Sequence, residues 1–213
     1  MITRPHTQMD DQIMSPENLT ALIGFAFVMS VSPGPGNFLL LASGANFGIA
    51  RTIPLILGIS SGFLSMVFVV GLGLGEILER FPMAQDVLRV ICFGYVLWLA
   101  YKISQIRSLE TKEQATAQPI GFVQAAMLQL LNPKAWTVAL IATVTYTVPS
   151  AGIKGLLVMI AVFALINIPS ISSWALFGAA MRSFIGQGNR TRIFNIIMAV
   201  LLVASMAPML LPI

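Results

Sequence analysis

The fold class this sequence predicts is an all-α integral membrane protein: six transmembrane helices as two inverted three-helix repeats, with helices 1 and 4 broken at proline motifs. Three observations lead there. Of the 213 residues, 57% are apolar and 9% are charged, whereas a soluble domain carries about a quarter charged residues. Mean hydropathy is +0.87. The apolar residues also gather into six stretches, and the first stretch of each half is interrupted by proline at a matching place. The composition excludes disordered, collagenous and disulfide-rich secreted classes and argues against a water-soluble enzyme.

Single counts close further routes. With one Cys, Cys92, neither an intrachain disulfide nor a cysteine metal cluster can form. The one His, His6, lies in the polar N-terminal segment, so a zinc site or a Ser-His-Asp triad in the apolar body lacks its imidazole. Gly34-Pro35-Gly36 is not a dinucleotide fingerprint, and no phosphate loop of the Gly-x-x-x-x-Gly-Lys type occurs. No cofactor, no metal and no catalytic residue is expected. The basic residues are scattered through loops, which fits membrane orientation rather than a nucleic-acid partner.

Residues 1–18 form a polar tail holding Asp10, Asp11 and Glu17. A cleaved signal peptide would want a basic start there, so the first span is expected to remain. Met9 and Met14 are alternative starts to Met1. A transmembrane helix needs about 20 mostly apolar residues to cross roughly 30 Å of hydrocarbon. The six candidates are 19–47, 53–74, 87–104, 121–148, 155–177 and 193–213.

The first span is broken at Ser32-Pro33-Gly34-Pro35-Gly36-Asn37. Span two carries Gly58 and Gly62 with Ser60, Ser61 and Ser65, a small-residue face suited to close helix packing. Its end holds Gly71, Gly73 and Gly75, read as packing or helix-end residues. Span three ends on Tyr95, Trp98 and Tyr101, an interfacial aromatic belt, and Cys92 within it reads as a small buried hydrophobe. The polar stretch 105–119 divides the chain into repeats 19–104 and 120–213. Span four is broken at Leu131-Asn132-Pro133-Lys134-Ala135. Span five holds Asn167-Ile168-Pro169-Ser170, which packing explains more readily than a cavity.

Three spans per half is an odd number, so the halves must insert in opposite senses, and interrupted segments at matching places point to a transport site. Arg and Lys near the span ends set the orientation. Arg4, Arg80, Arg89 and Lys154 lie on one side; Arg51, Lys102, Arg107, Lys112, Arg182, Arg190 and Arg192 lie on the other. The second side is therefore the expected cytoplasm, it includes the linker 105–119, and both termini are expected in the periplasm of a bacterial inner membrane.

The breaks carry the chemistry. Proline inside a helix removes an N–H and clashes with the carbonyl four residues back. In hydrocarbon each freed group costs several kcal/mol unless it is satisfied, so both breaks should face protein or water. The half-helix starting near Asn37 should point its positive end into the break, where it favours an anion. Lys134 is the one basic residue placed mid-span. An ionisable group there is a site candidate by default, with snorkelling to the cytoplasmic edge as the bland alternative. The candidate substrate-binding residues are Pro33, Gly34, Pro35, Gly36, Asn37, Asn132, Pro133 and Lys134.

These residues also resemble a known family. Ser32-Pro33-Gly34-Pro35-Gly36-Asn37, Gly48-Ile49-Ala50-Arg51 and Gly58-Ile59-Ser60-Ser61-Gly62 look like the N-terminal signature of the LysE/RhtB amino-acid exporters. Gly94-Tyr95-Val96-Leu97-Trp98-Leu99-Ala100-Tyr101-Lys102 is similar to that family's third-span ending, and Gly121-Phe122 through Ala135 to its fourth-span motif. The resemblance implies a six-span inner-membrane translocator exporting amino acids or small derivatives, driven by the proton gradient. Pro33-Gly34-Pro35 matches the family's Pro-Gly-Pro, and Asn132-Pro133-Lys134 its Asn-Pro-Lys. Many members carry Asn or Asp directly after the second Pro; here Gly36 stands there and Asn37 follows. The third-span ending and the Pro-Gly-Pro-x-Asn form are similar to the cysteine and O-acetylserine exporter branch.

The expected partners are an amino-acid solute and the lipid bilayer, with a homo-oligomer left open. Two other classes compete: a non-transporting accessory or scaffold subunit, and a membrane redox enzyme, which would need paired thiols or haem ligands that the spans lack.

Overall fold

In the computed structural model, residues 14–74, 82–106, 118–147, 151–185 and 189–206 are described. Most of the tail (His6, Asp10, Asp11), the acidic loop residues Glu76 and Glu79, linker positions 107–117 and the last residues of span six fall outside them. Among the described residues the chain is helical throughout, with eight α-helices and no strand. They are α1 (Pro16–Val31), α2 (Pro35–Phe47), α3 (Ile49–Val69), α4 (Pro82–Ser104), α5 (Phe122–Leu131), α6 (Pro133–Tyr146), α7 (Gly152–Ile185) and α8 (Arg190–Ala204).

Helix ends follow the local chemistry. Ser15 caps α1, its side chain accepting from Asn18 N at 3.2 Å, and Pro16 sits at the first turn, where its missing N–H costs nothing. Gly48, at φ 77°, turns the chain between α2 and α3, a conformation that side chains resist. After α3 a π-turn over Val70–Leu74 ends at Gly73, φ 106°, which is the helix-end role expected of a glycine there. Both predicted breaks are present. Residues 32–34 are non-helical, and α1 and α2 meet at a 57° bend. α5 stops at Asn132, extended at φ −84°, ψ 112°, and α6 starts at Pro133.

Among the described residues two helical stretches are long and apolar enough to cross a membrane alone, Ile49–Gly73 and Gly152–Ile185, and the bent pair α1–α2 makes a third if it is counted as one span. α7 runs well past the expected 155–177. Its 34 residues span about 51 Å at 1.5 Å per residue, and it continues as one helix despite Pro169.

Small residues set the tightest seams. A Cβ on Gly44 would collide with the carbonyl of Ala175, and one on Gly178 with the carbonyl of Leu41, so α2 and α7 touch backbone to backbone. The predicted Gly58/Gly62 face does the same for α3, against Phe122, Ala125 and Ala126 of α5. Gly71 lies against Leu156. Cys92 is fully buried, as expected, and Tyr95 stacks on Trp98 at 5.4 Å with Lys102 over the same indole at 4.7 Å.

Two apolar clusters form the interior. One holds Leu40, Leu55, Ile59, Leu128, Ile171 and Leu202; the other holds Leu22, Phe63, Val138, Met159 and Phe163. Four elements pass from one cluster to the other, and each carries a buried polar residue at the crossing: Asn37 after α1, Ser60 in α3, Asn132 after α5 and Asn167 in α7. A polar layer therefore divides the apolar interior at the level of the two breaks.

Candidate functional site

The site begins with an accounting problem. A helix leaves its last carbonyls without intrahelical donors, and inside an apolar interior each must find one. At the end of α1, Val28 O accepts from Ser32 N at 2.9 Å and Met29 O from the Ser32 hydroxyl at 3.1 Å. Ser30 O accepts from Asn37 Nδ2 at 2.8 Å. Val31 O accepts from Trp174 Nε1 of α7 at 3.1 Å. Ser32 O takes Asn37 Nδ2 at 2.9 Å and Lys134 Nζ at 2.8 Å.

Lys134 therefore reaches from the second break into the first. Its ammonium donates to Ser32 O and Ser32 Oγ at 2.8 Å each and to Pro33 O at 3.3 Å, which uses all three donors. Its stem passes over Gly34, where a Cβ would sit 3.1 Å from Lys134 Cδ and 3.3 Å from Nζ. The positive charge lies at the negative end of the α1 dipole, the favourable arrangement. In this conformation peptide carbonyls and the Ser32 hydroxyl, not a carboxylate, serve as its acceptors.

The second break is tighter. Asn132 Oδ1 accepts from Lys134 N at 3.1 Å, capping α6, and Asn132 Nδ2 donates to Gln129 Oε1 at 2.9 Å. Asn132 O accepts from Ala135 N and Trp136 N. A third polar group comes from α7: Asn167 Nδ2 donates to Ser30 Oγ and Asn167 Oδ1 accepts from Ser60 Oγ, both at 3.0 Å. Asn167 thus ties three elements together in the polar layer and lines the cavity there, where the sequence favoured packing over a cavity. Asn167→Leu strands both serine hydroxyls, at about 1–3 kcal/mol for a buried unsatisfied group. We expect the detergent-purified variant to melt several degrees below wild type, and an unchanged melting temperature would remove this tie.

A cavity of about 50 Å³ lies among these groups, lined by Ser30, Gly36, Asn37, Gln129, Lys134 and Asn167 with Ile59 and Phe163 as apolar walls. That is room for a few waters, well below the about 300–1,000 Å³ of usual ligand pockets. Among its described lining residues there is one cation and no carboxylate. Two helix starts border it, α2 and α6; Asn132 caps the second, and no side chain caps the first.

Of the eight predicted site residues, Gly34, Pro35, Gly36, Asn37 and Asn132 are buried, Pro133 and Lys134 are part-buried, and Pro33 is exposed. Gly34, Pro35, Gly36, Asn37, Asn132 and Lys134 meet around one cavity. Sequence reasoning missed Ser30, Ser32, Trp174 and Gln129. Gln129 carried a usable signal, since it stands three residues before Asn132 and so on the same helical face.

A model of the family described as LysE type translocator matches residues 27–210. The chain is 31% identical over 199 residues to the cysteine/O-acetylserine efflux protein of Escherichia coli (strain K12), covering 89% of this chain and 96% of that protein. The proteins of the same name from Shigella flexneri and Salmonella typhimurium are also 31% identical, over 199 and 193 residues, with the same coverage. No solved structure matches the chain.

Proposed function

Because the chain belongs to the LysE type translocator family, we propose that it is a secondary transporter that exports small amino acids or their derivatives across a bacterial inner membrane, driven by the proton gradient. The relatives it matches over most of its length are efflux proteins, which supports this class over a scaffold or an enzyme.

In this reading the six spans are α1 with α2, α3, α4, α5 with α6, α7, and α8. They form inverted repeats 19–104 and 120–213, joined by a cytoplasmic linker 105–119, with the tail 1–18 and the C-terminus in the periplasm. Cross-pairing of the halves supports the repeat: broken span one packs on α7 of the second half, and broken span four packs on α3 of the first.

One observation carries the mechanism: Lys134 leaves its own break to hold the other, at Ser32 and Pro33. The link is made of charge-assisted hydrogen bonds to neutral carbonyls. A carboxylate is a stronger acceptor for an ammonium than a carbonyl is. A zwitterionic solute entering the cavity can therefore draw Lys134 off the α1 terminus, free the two half-helices and let one repeat rock against the other. The Pro33-Gly34-Pro35-Gly36 stretch supplies the hinge, while Asn37, Asn132 and Pro133 fix the half-helix ends around the solute. The cavity must expand for this, so the arrangement seen here is the contracted one.

The test is uptake by inside-out membrane vesicles, in which export runs inward. Vesicles containing the protein should accumulate radiolabelled L-cysteine or O-acetyl-L-serine when energised. Accumulation should fall to the level of vesicles lacking the protein when a protonophore collapses the gradient. Uptake of no member of a panel of amino acids would refute export, and uptake indifferent to the protonophore would refute the coupling.

A further inference from the structure

One residue of this cavity is pointed to by neither the proline motifs nor the basic side chains. Gln129 lies in the last turn of α5, and only 7% of it is exposed. Its Oε1 accepts from Asn132 Nδ2 at 2.9 Å. That bond fixes the orientation of the amide and leaves Nε2, whose two N–H groups have no partner among the described residues. An amide donor left unpaired inside an apolar helix bundle is costly. This one lines the cavity, where something other than protein must satisfy it.

The start of α2 lines the same cavity. A Cβ built on Gly36 would lie 3.8 Å from Gln129 Oε1, so the oxygen edge of the amide borders the first turn of that helix. Pro35 has no N–H to offer, and no side chain caps the turn. The N–H groups of Gly36 and Asn37 follow it, at the positive end of the helix dipole. Gly36 is what keeps this approach open, because a side chain there would stand between helix start and amide. Lys134, by contrast, has all three donors engaged on Ser32 and Pro33. Asn37 has both amide hydrogens engaged on Ser30 O and Ser32 O, so it presents only its acceptor oxygen.

We propose that Gln129 Nε2 and the uncapped first turn of α2 form the cradle that receives the solute's carboxylate, before Lys134 is released. This rests on the export reading above and deepens it. The solute class is a free α-carboxylate, bound between an uncharged amide and a helix start. The Asn37 oxygen beside it is placed to accept from the α-ammonium. Lys134 then acts as the element that answers the bound charge rather than the one that first recognises it. An uncharged recogniser also suits a transporter, since it holds the anion without the long residence that a desolvated ion pair would impose.

The experiment uses the full-length protein in inside-out vesicles, with uptake normalised to the amount of protein in the membrane. The probe is whichever of the common amino acids and O-acetyl-L-serine the wild type takes up fastest, competed by the unlabelled compound and by its carboxamide. Wild type should prefer the free acid over the carboxamide by about 10-fold or more, the scale of a hydrogen bond to a charged group. Gln129→Glu keeps the shape, replaces the donor by a negative charge, and should erase or reverse that preference. Gln129→Leu removes the donor without adding charge and should narrow it by weakening the acid alone. A merely structural role for Gln129 would weaken both competitors alike, and an unchanged preference in either variant would overturn the cradle while leaving export intact. If wild type takes up none of the panel, the export reading fails and the cradle fails with it.

Discussion

Lys134→Ala is expected to stop export while leaving the protein folded in the membrane. Its ammonium makes three contacts with the first break, to Ser32 O, Ser32 Oγ and Pro33 O. Hydrogen bonds to charged groups are worth about 1.5–3 kcal/mol each. The loss to the fold is smaller than that suggests, because Ser32 O keeps Asn37 and Pro33 is exposed, so water replaces the ammonium there. The loss to transport is larger: the variant has no charge to move between the α1 terminus and the solute. We expect uptake by inside-out vesicles to fall about 100-fold or more, as for two such bonds removed together. Lys134→Arg should not rescue it, since the wider guanidinium must pass Gly34, where even a Cβ would come within 3.1 Å of the present stem. Gly34→Val should copy the defect with the lysine still present. Wild-type uptake by Lys134→Ala would dispose of the assigned role of this residue.

The largest effect on the fold is expected at the seam between α2 and α7. Gly44→Val or Gly178→Val places a branched side chain where a single Cβ already collides with the carbonyl of Ala175 or of Leu41. Backbone carbonyls cannot swing away as side chains do, so the helices must part. Overpacking of a tight interior costs about 1–3 kcal/mol and at times more, and here separation also dismantles the van der Waals contact that drives helix association in lipid. Each variant should elute as aggregate in mild detergent and melt at least several degrees below wild type. Gly94→Val is the matched control, because a Cβ there meets nothing within 4 Å. If the seam variants and the control melt together, the close approach of α2 and α7 is not what holds the halves.

Much of this was legible because breaks are written in local chemistry. Pro33 and Pro35 among glycines, and Pro133 directly after Asn132, weigh locally against continuous helix, and both interruptions occur where they stand, whereas α7 runs on through its single Pro169. The Gly58/Gly62 face was readable from its spacing and does pack on α5. The equally tight contact of Gly44 and Gly178 was not, since nothing local marks these glycines and each acquires meaning only from a partner, Ala175 or Leu41, more than 130 positions away along the chain. Asn167 was read as packing because a polar residue near Pro169 looks like a local kink; its partners Ser30 and Ser60 sit on two other helices. The spacing of Gln129 from Asn132 was legible, but that Asn132 occupies its oxygen and leaves its amide donor over is decided only in the folded chain.

The residues by themselves determined that the chain lives in a membrane, that its two leading helices are broken, and that one lysine stands at a break, since apolar content, proline and a buried charge each act within a few residues. Only the tertiary structure decided where that lysine goes. The unsatisfied carbonyls of α1 lie about a hundred positions earlier in the chain, and a largely apolar interior compels the donors of Lys134, Asn37 and Trp174 to converge on them.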